Sequence, residues 1–485
     1  MTPAQRPNIV FVMTDQQRYD TIAALGFPHM ITPHLDQLVQ QGVSFSQMFV
    51  TSPSCSPSRA SIFTGLYPRS HGVLRNDEKW RWTWVEALAG SGYRCVNVGK
   101  MHTNPFEKSF GFHERHVVEN KDRAHPDLPF FLDNWDKALW IRGVEKPDRV
   151  ALRHRADYRD SLGAFVWQLP PELHADNFVG SLAVHWLDTY KGTEPFFLQV
   201  GLPGPHPPYD PTPDALALYA DRVLPEAIRD PQDLDGQPQV LKDLRREHQQ
   251  SDHDGIVHLA SPTPEQTRRQ RQHYYANVTM IDTQVGNLLA ALERRGVLDN
   301  TVFIFTTDHG DCLNDHGHSQ KWTMFEQSVH VPALVWGPGF GITPRVVDDL
   351  ASSMDFGPTI LELAGLPVPS FMQAMSLLPA VLGKQGEPRE YVFAEHARDM
   401  ILRSTEWMTM IRDRRWKLVQ FADSDEGQLF DLENDRDEIR SLWDAESAQV
   451  IKQELLRRVA LWQSITASGA EAFHAYLEPL GARST

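Results

Sequence analysis

Cysteine is nearly missing from this chain: only Cys55, Cys95 and Cys312 occur in 485 residues. An odd, sparse set builds no disulfide framework and fits a reducing compartment. Also missing is any apolar run long enough to span a bilayer, and the opening Met1-Thr-Pro-Ala-Gln-Arg-Pro7 has no apolar leader segment. The expectation is a cytoplasmic protein with no membrane partner. Positive charge is in deficit, 47 Lys and Arg against 63 Asp and Glu, for a formal −16. That balance argues against nucleic acid as a partner, and it means that an anionic substrate must be drawn in by a local cationic site. Internal repeats and low-complexity tracts are absent too. What is left, 41% hydrophobic and 23% charged, is ordinary globular composition, with length for one large α/β domain and a smaller one.

Short continuous apolar runs recur at Asn8–Met13, Tyr93–Val98, Pro195–Gly201 and Thr301–Phe305. Runs of this kind mark parallel strands buried on both faces. Val43–Val50 is a further strand candidate, and helical spacing occupies Thr32–Gly42, Trp84–Gly92, Asp176–Tyr190 and Glu265–Arg295. The alternation predicts an α/β domain over residues 1–380, a large mostly parallel sheet flanked by helices. Two insertions interrupt it. Residues 104–175, with Trp135, Trp140 and Trp167, read as a core-packing excursion over the sheet edge or pocket mouth. Residues 211–264 read as surface, with His248, His253 and His258 solvated. Beyond 380, short strands at Tyr391–Glu395, Trp407–Arg412, Trp416–Phe421 and from Gln428 predict a small antiparallel sheet. A helix over Ala445–Ser464 and a tail carrying Phe473 and Tyr476, expected to make an oligomer contact, complete a C-terminal α+β subdomain over 381–485.

The chemistry concentrates at Thr51-Ser-Pro-Ser-Cys-Ser-Pro-Ser-Arg-Ala-Ser-Ile-Phe-Thr-Gly65. Cys55 stands before a helix start, with Pro57 in the first turn and Ser54, Ser56 and Ser58 as capping residues. Arg59 follows one turn later, on the same side. A thiol at a helix N-terminus beside a guanidinium is acidified, and the same place holds a tetrahedral anion. An anionic ester attacked by residue 55 is the reading. Other polar residues sit where strands end: Asp15, Lys100 with His102, and Asp308 with His309, followed by Lys321. In open α/β sheets ligands bind at the carboxyl ends of strands. His206 is fixed between prolines, hence preorganised. Alone, each has a bland alternative: a structural cysteine, a helix-capping Asp, a solvated Lys-x-His, a turn residue at Asn76. Their coincidence at strand ends favours one site.

Cys55-x-Pro57-Ser58-Arg59 with Thr64-Gly65 resembles the signature of the sulfatase family, the formylglycine-dependent branch of the alkaline phosphatase superfamily. Tyr67-Pro-Arg-Ser-His-Gly72, Gly99-Lys-Met-His102, Pro205-His-Pro-Pro208 and Thr306-Thr-Asp-His-Gly310 are similar to further motifs of that family. The resemblance implies an alkaline-phosphatase-like fold and hydrolysis of small aryl or alkyl sulfate esters through a covalent sulfo-enzyme intermediate. It implies that a formylglycine-generating enzyme converts Cys55 to 3-oxoalanine (formylglycine), whose hydrate is the nucleophile. It further implies one divalent metal, calcium first and manganese second, on Asp15, Gln16, the residue at 55, Asp308 and His309. Arg59, Lys100, His102, His206 and Lys321 take catalytic roles, and Asn76 a substrate contact. His316 and His318 stay open, and a homo-oligomer, dimer or tetramer, is expected. Gln16 departs from the family's usual second Asp, as in choline-sulfatase-like and phosphonate-hydrolase-like members. Retention of Lys100 and His102 favours sulfate. The alternatives are a phosphonate monoester hydrolase or phosphodiesterase of the same superfamily, a choline-sulfatase-like specificity, and a non-catalytic binding protein on the same scaffold.

Overall fold

Successive side chains of a strand alternate between faces, and the first apolar run obeys this in a sheet covered on both sides. In β1 (Asn8–Asp15), Ile9, Phe11 and Met13 enter one core and Val10 and Val12 the other. Each such burial contributes roughly 1.5–3 kcal/mol. The structure, a computed structural model, describes residues 6–119 and 132–481. In chain order the next strands are β2 (Val43–Phe45), β3 (Met48–Phe49), β4 (Arg94–Gly99), β5 (Glu114–Val117), β6 (Phe196–Pro205), β7 (Thr301–Thr307), β8 (Ala333–Trp336), β9 (Arg345–Val347) and β10 (Ala351–Ser352). The large sheet runs β5-β4-β6-β1-β7-β8-β2-β9, and β3 pairs with β10 separately. Among the described residues, only β8 in this sheet runs antiparallel to its neighbours. β1 lies between β6 and β7, parallel to both.

The helix Pro264–Arg294 begins with a capping box between Thr263 and Gln266 and a proline in its first turn. Ile281, Val285, Leu288 and Leu292 line up at helical spacing and close one face of the sheet beside the helix Ala175–Thr189. At the other end of the chain, β11 (Val392–Ala397), β12 (Trp407–Arg412), β13 (Trp416–Phe421) and β14 (Gly427–Asp431) form the expected antiparallel sheet. Among the described residues no helix is long and apolar enough to cross a membrane. The three cysteines are unpaired and buried.

Four expectations need correction. Val43–Val50 is two short strands, β2 and β3, which pair with different partners. Residues 104–175 do more than cover the sheet: they supply its edge strand β5, while Trp135 and Trp167 are core and Trp140 is exposed. Of that segment, 120–131 lie outside the described residues. Residues 211–264 are not a surface loop. The helix Gln239–Gln250 turns Val240, Leu241, Leu244 and His248 to one buried face, a stripe too thin for periodicity alone to flag. His248 and His258 are accordingly buried, and His253 is partly so. Finally, the last helix runs Gln449–Gly481 rather than ending at Ser464. Gly469 costs about 1 kcal/mol in a helix, but a Cβ there would meet Gln373 Nε2 at 2.4 Å. Beyond it Phe473 and Tyr476 pack on this chain's own Trp82 and Phe371.

Candidate active site

The site starts from the register of two neighbouring strands. Thr14 on β1 is paired with Thr307 on β7, so Asp15 and Asp308 emerge side by side. The helix Cys55–Thr64 packs under them, and Ser58 Oγ donates to the Asp308 carbonyl at 2.6 Å. Arg59 fills the space between the carboxylates. Its Nε donates to Asp308 Oδ2 at 2.7 Å and its Nη2 to Asp15 Oδ2 at 3.1 Å. The remaining bonds go to the Lys100 and Thr14 carbonyls at 3.0 and 3.2 Å. All three charged side chains are 0% exposed. Arg59 was expected to lie beside the thiol; every bond it makes goes instead to the frame that carries the acids.

Cys55 Sγ lies 3.2 Å from His309 Nε2 and 3.6 Å from Asp15 Oδ1, and it accepts from Lys321 Nζ at 3.0 Å. Burial and Asp15 push its pKa up; Lys321, Lys100 and His309 outweigh them, and the net shift is down. The thiol is acidified as anticipated, chiefly by two lysines and a histidine; Arg59 makes no bond to it but interacts with its charge. Burial likewise raises Asp15, yet Lys100, His206, Arg59 and Lys321 hold it well below the usual carboxylate range. Lys100 is the closest of these, with Nζ 2.6 Å from Asp15 Oδ2.

One ligand atom each from Asp15, Cys55, Asp308 and His309 falls within 4.8 Å of the others, and all four residues are buried. His309 Nδ1 donates to the Gly310 carbonyl at 2.9 Å, which leaves Nε2 toward the cluster. Burial opposes its protonation, but Asp308 and Cys55 favour it and the net shift is up, so Nε2 becomes a lone-pair donor only on giving up that proton. Gln16, in a left-handed conformation (φ 69°), is oriented by a network that the sequence did not reveal. Its Nε2 donates to Asp311 Oδ2 at 2.7 Å, an oxygen that also accepts from Tyr209 at 2.6 Å. A carboxylate accepts only, so the amide is turned with Oε1 toward Lys321 Nζ, 3.0 Å away. Two carboxylates, a sulfur and an imidazole nitrogen form a donor set suited to one divalent cation, with the Gln16 amide oxygen turned toward Lys321 beside them.

The other predicted residues are placed less simply. β4 ends at Gly99 (φ 93°), where a Cβ would sit 2.1 Å from the Gly201 carbonyl oxygen, and His102 is left-handed (φ 61°). Lys100 and His102 are therefore not an extended pair. The His102 N–H donates to Glu119 Oε2 at 2.9 Å, and its carbonyl accepts from Ser56 at 3.1 Å. Glu119 is buried behind them, and burial raises its carboxyl. Ser54 caps nothing with its side chain. Asn76 reaches in instead, its Oδ1 accepting from the Ser56 N–H at 3.0 Å and from Ser54 Oγ at 3.3 Å. His206, just past β6, donates from Nδ1 to the Pro207 carbonyl at 2.9 Å, while Nε2 lies 3.7 Å from Asp254 Oδ2. His316 and His318 bond Asp233 and Gln237 at 3.0 Å, and His316 stacks on Phe325. These contacts tie the two histidines to the 211–264 segment. His248, His253 and His258 cluster near one another, yet among the described residues no metal-holding group forms outside the Cys55 site.

Glu119, Asp311, Tyr209 and Asp254 are the residues that motif reasoning missed. Asp311 lies within the Thr306–Asp311 stretch and could have been weighed for its charge; the other three carry no local signal.

The sulfatase family model matches residues 7–366, and one for the C-terminal part of N-sulphoglucosamine sulphohydrolase matches 314–464. The chain is 30% identical to the arylsulfatase of Clostridium perfringens (strain 13 / Type A), covering 91% of each chain. It is 28% identical to the choline-sulfatase of Rhizobium meliloti (strain 1021), covering 90% of this chain and 82% of that one. In fold it is similar to the phosphonate monoester hydrolase of Agrobacterium radiobacter, with a TM-score of 0.80 at 24% identity over 95% of this chain and 96% of that one.

Proposed function

The chain belongs to the sulfatase family, and from that premise we propose that its Cys55 site hydrolyses small aryl or alkyl sulfate monoesters. It is a sulfuric ester hydrolase. The observation that carries the substrate reading is the position of Cys55 Sγ, in contact with Asp15, His309 and Lys321 at the head of a buried helix. In the mature site, residue 55 as formylglycine and a divalent ion, calcium in preference to manganese, supply a hydroxyl nucleophile and positive charge at the sulfate. Asp15, Gln16, Asp308 and His309 are assigned to the ion, together with the residue at 55.

The chain's own groups divide the remaining work. Lys100 and Lys321 put two ammonium groups beside Asp15 and Cys55. Both compensate the negative charge of the sulfate oxygens, without reorganisation when that charge shifts. Arg59 works through Asp15 and Asp308, which it holds in place. His206 Nε2 carries the proton for the departing alcohol oxygen. His102 takes the proton whose loss releases sulfate. Asn76 is assigned a substrate contact in addition to holding the helix end. Maturation requires a formylglycine-generating enzyme. The unpaired cysteines support a reducing, cytoplasmic setting, and the chain assembles as a dimer or tetramer.

The mass of the peptide carrying residue 55 tests the nucleophile. It is expected to be lighter than the cysteine form and to gain one water on hydration. Cys55→Ala is expected to abolish turnover, and retained hydrolysis would remove residue 55 from the mechanism. Gln16 and the fold likeness to a phosphonate monoester hydrolase support a second reading, phosphonate or phosphodiester hydrolysis. Relative kcat/KM on phenyl sulfate and a phenyl phosphonate monoester separates the two, and a large phosphonate advantage would favour the second.

A further inference from the structure

The nitrogen of His206 that faces the site has a carboxylate beside it that belongs to none of the motifs. His206 Nδ1–H is committed to the Pro207 carbonyl at 2.9 Å, so any proton that moves is carried on Nε2. Asp254 Oδ2 lies 3.7 Å from that atom. This separation is too long for a hydrogen bond, but a direct Coulombic contact in a buried setting. The other oxygen, Oδ1, is held by Arg149 Nη1 at 2.8 Å. The backbone around Asp254 is fastened as well. Gln320 Nε2 donates to the His253 carbonyl at 2.9 Å, and Arg153 Nη2 to the Asp252 carbonyl at 3.0 Å. Asp254 itself is left-handed, with φ 57°. Asp tolerates that region better than most residues, at a cost of about 1 kcal/mol. A strained acid, clamped by an arginine from the 104–175 insertion, is thus presented to the proton-carrying side of His206.

We propose that Asp254 is a positioning residue for His206, aligning and polarising the imidazole so that Nε2 protonates the leaving alcohol. This rests on the assignment of His206 as the acid. In the step concerned, the sulfur–oxygen bond to the alcohol breaks as the nucleophile's oxygen bonds to sulfur. The electron pair passes to the alcohol oxygen, which takes the proton from Nε2 and leaves His206 neutral. The charged groups acting on His206 are Lys321, Asp254, Asp15 and Lys100. Burial, then Lys321, drive the imidazole toward the neutral form; Asp254 is the foremost group opposing them. The net shift is still well downward, so Asp254 limits the loss of the proton that His206 must deliver and does not by itself keep the ring charged. Asp254 remains a carboxylate to strongly acid pH because, although burial opposes ionisation, Arg149, His206 and Lys321 favour it.

Leaving-group dependence tests this in the full-length, matured enzyme. 4-Nitrophenyl sulfate releases a phenolate that is stable without a proton; phenyl sulfate needs protonation more. Asp254→Asn is expected to lower kcat about 100-fold on phenyl sulfate and less than about 10-fold on 4-nitrophenyl sulfate. Asp254→Glu is expected to recover part of the difference. The ratio between substrates does not depend on the folded fraction, so a poorly folding variant still reports. His206→Ala should show the same selectivity. If it does while Asp254→Asn loses equally on both substrates, Asp254 only anchors Arg149 and the proposal falls. If His206→Ala is itself unselective, the acid assignment falls and takes this inference with it. If the wild type turns over neither ester, the sulfatase reading of the site is what has failed.

Discussion

The site has two walls built on different plans. On the metal-facing wall, Asp15, Asp308 and Arg59 are wholly buried, and β1, β7 and the Cys55 helix position them through direct bonds. On the leaving-group wall, His206, Asp254 and the neighbouring His248 and His253 come from irregular or short helical segments, and His206 and Asp254 are 3.7 Å apart. On the proposed reading the first wall takes the sulfate, whose geometry does not vary among substrates, and the second the alcohol, which does. Rigid strand ends suit a fixed group, and side-chain networks in insertions can be rebuilt without disturbing the sheet.

The greatest damage should come from breaking the first wall. Arg59→Met leaves two buried carboxylates without their common partner, which typically costs 3–5 kcal/mol, or about that. Activity should fall by at least about 1,000-fold, as Asp15 and Asp308 lose their alignment. Arg59→Lys should rescue little, because a single ammonium cannot reproduce the four bonds of the guanidinium. Thermal unfolding and kcat/KM measure both effects. Wild-type stability in Arg59→Met would mean that the wall is not braced as described. On the second wall, His206→Ala should cost about 100-fold in kcat with little change in melting temperature. Equal stability losses at Arg59 and His206 would erase the contrast.

Acid should separate the walls in a different way. Burial lowers His248, His253 and His258, the last to about 4. These groups stay neutral in the fold but take up protons near pH 6.5 when unfolded. Their contribution is fully present above about 6.5 and is lost as pH falls toward the folded values. For His258 alone the loss is about 2 kcal/mol at pH 5. Asp15 acts in the same sense over a lower range: its folded pKa is depressed, so its contribution persists above about 3.8 and fades only below it. Hydrogen exchange at pH 5 should therefore expose residues 239–258 while β1 and β7 remain protected. Simultaneous exposure of both would sink the idea.

The contrast also explains what could be read in advance. The strand-end acids, the Cys55 signature and Lys321 are set by short-range motifs, and so was the order of strand and helix that carries them. Arg59 was found by spacing, yet its partners were not, since they arise from the register of β1 against β7. Asp254 and Arg149 lie about a hundred residues apart in two segments without clear periodicity. Only the folded chain brings them to His206. The histidines of 239–258 were misread as solvated because burial there depends on a thin apolar stripe packed against distant residues. The last helix was cut short because its continuation relies on Phe473 finding Trp82, a tertiary contact that overrides the local glycine.

The smallest expected effect tests where the two walls meet. Asn76 was expected to touch substrate, and its Oδ1 is bonded to the Ser56 N–H and to Ser54 Oγ at the head of the signature helix. A side chain from outside thus does what an N-cap normally does from within, and losing such a cap costs about 1 kcal/mol. Asn76→Ala should lower stability by about that amount. Asn76→Asp keeps the acceptor and adds a negative charge favoured by the helix end, so it should keep the stability. Near a sulfate, however, that same charge repels. If Asn76 also contacts substrate, Asn76→Asp should raise KM while leaving the melting temperature unchanged, and Asn76→Ala should change both. If capping is its whole contribution, KM follows neither substitution and the residue belongs to the braced wall alone.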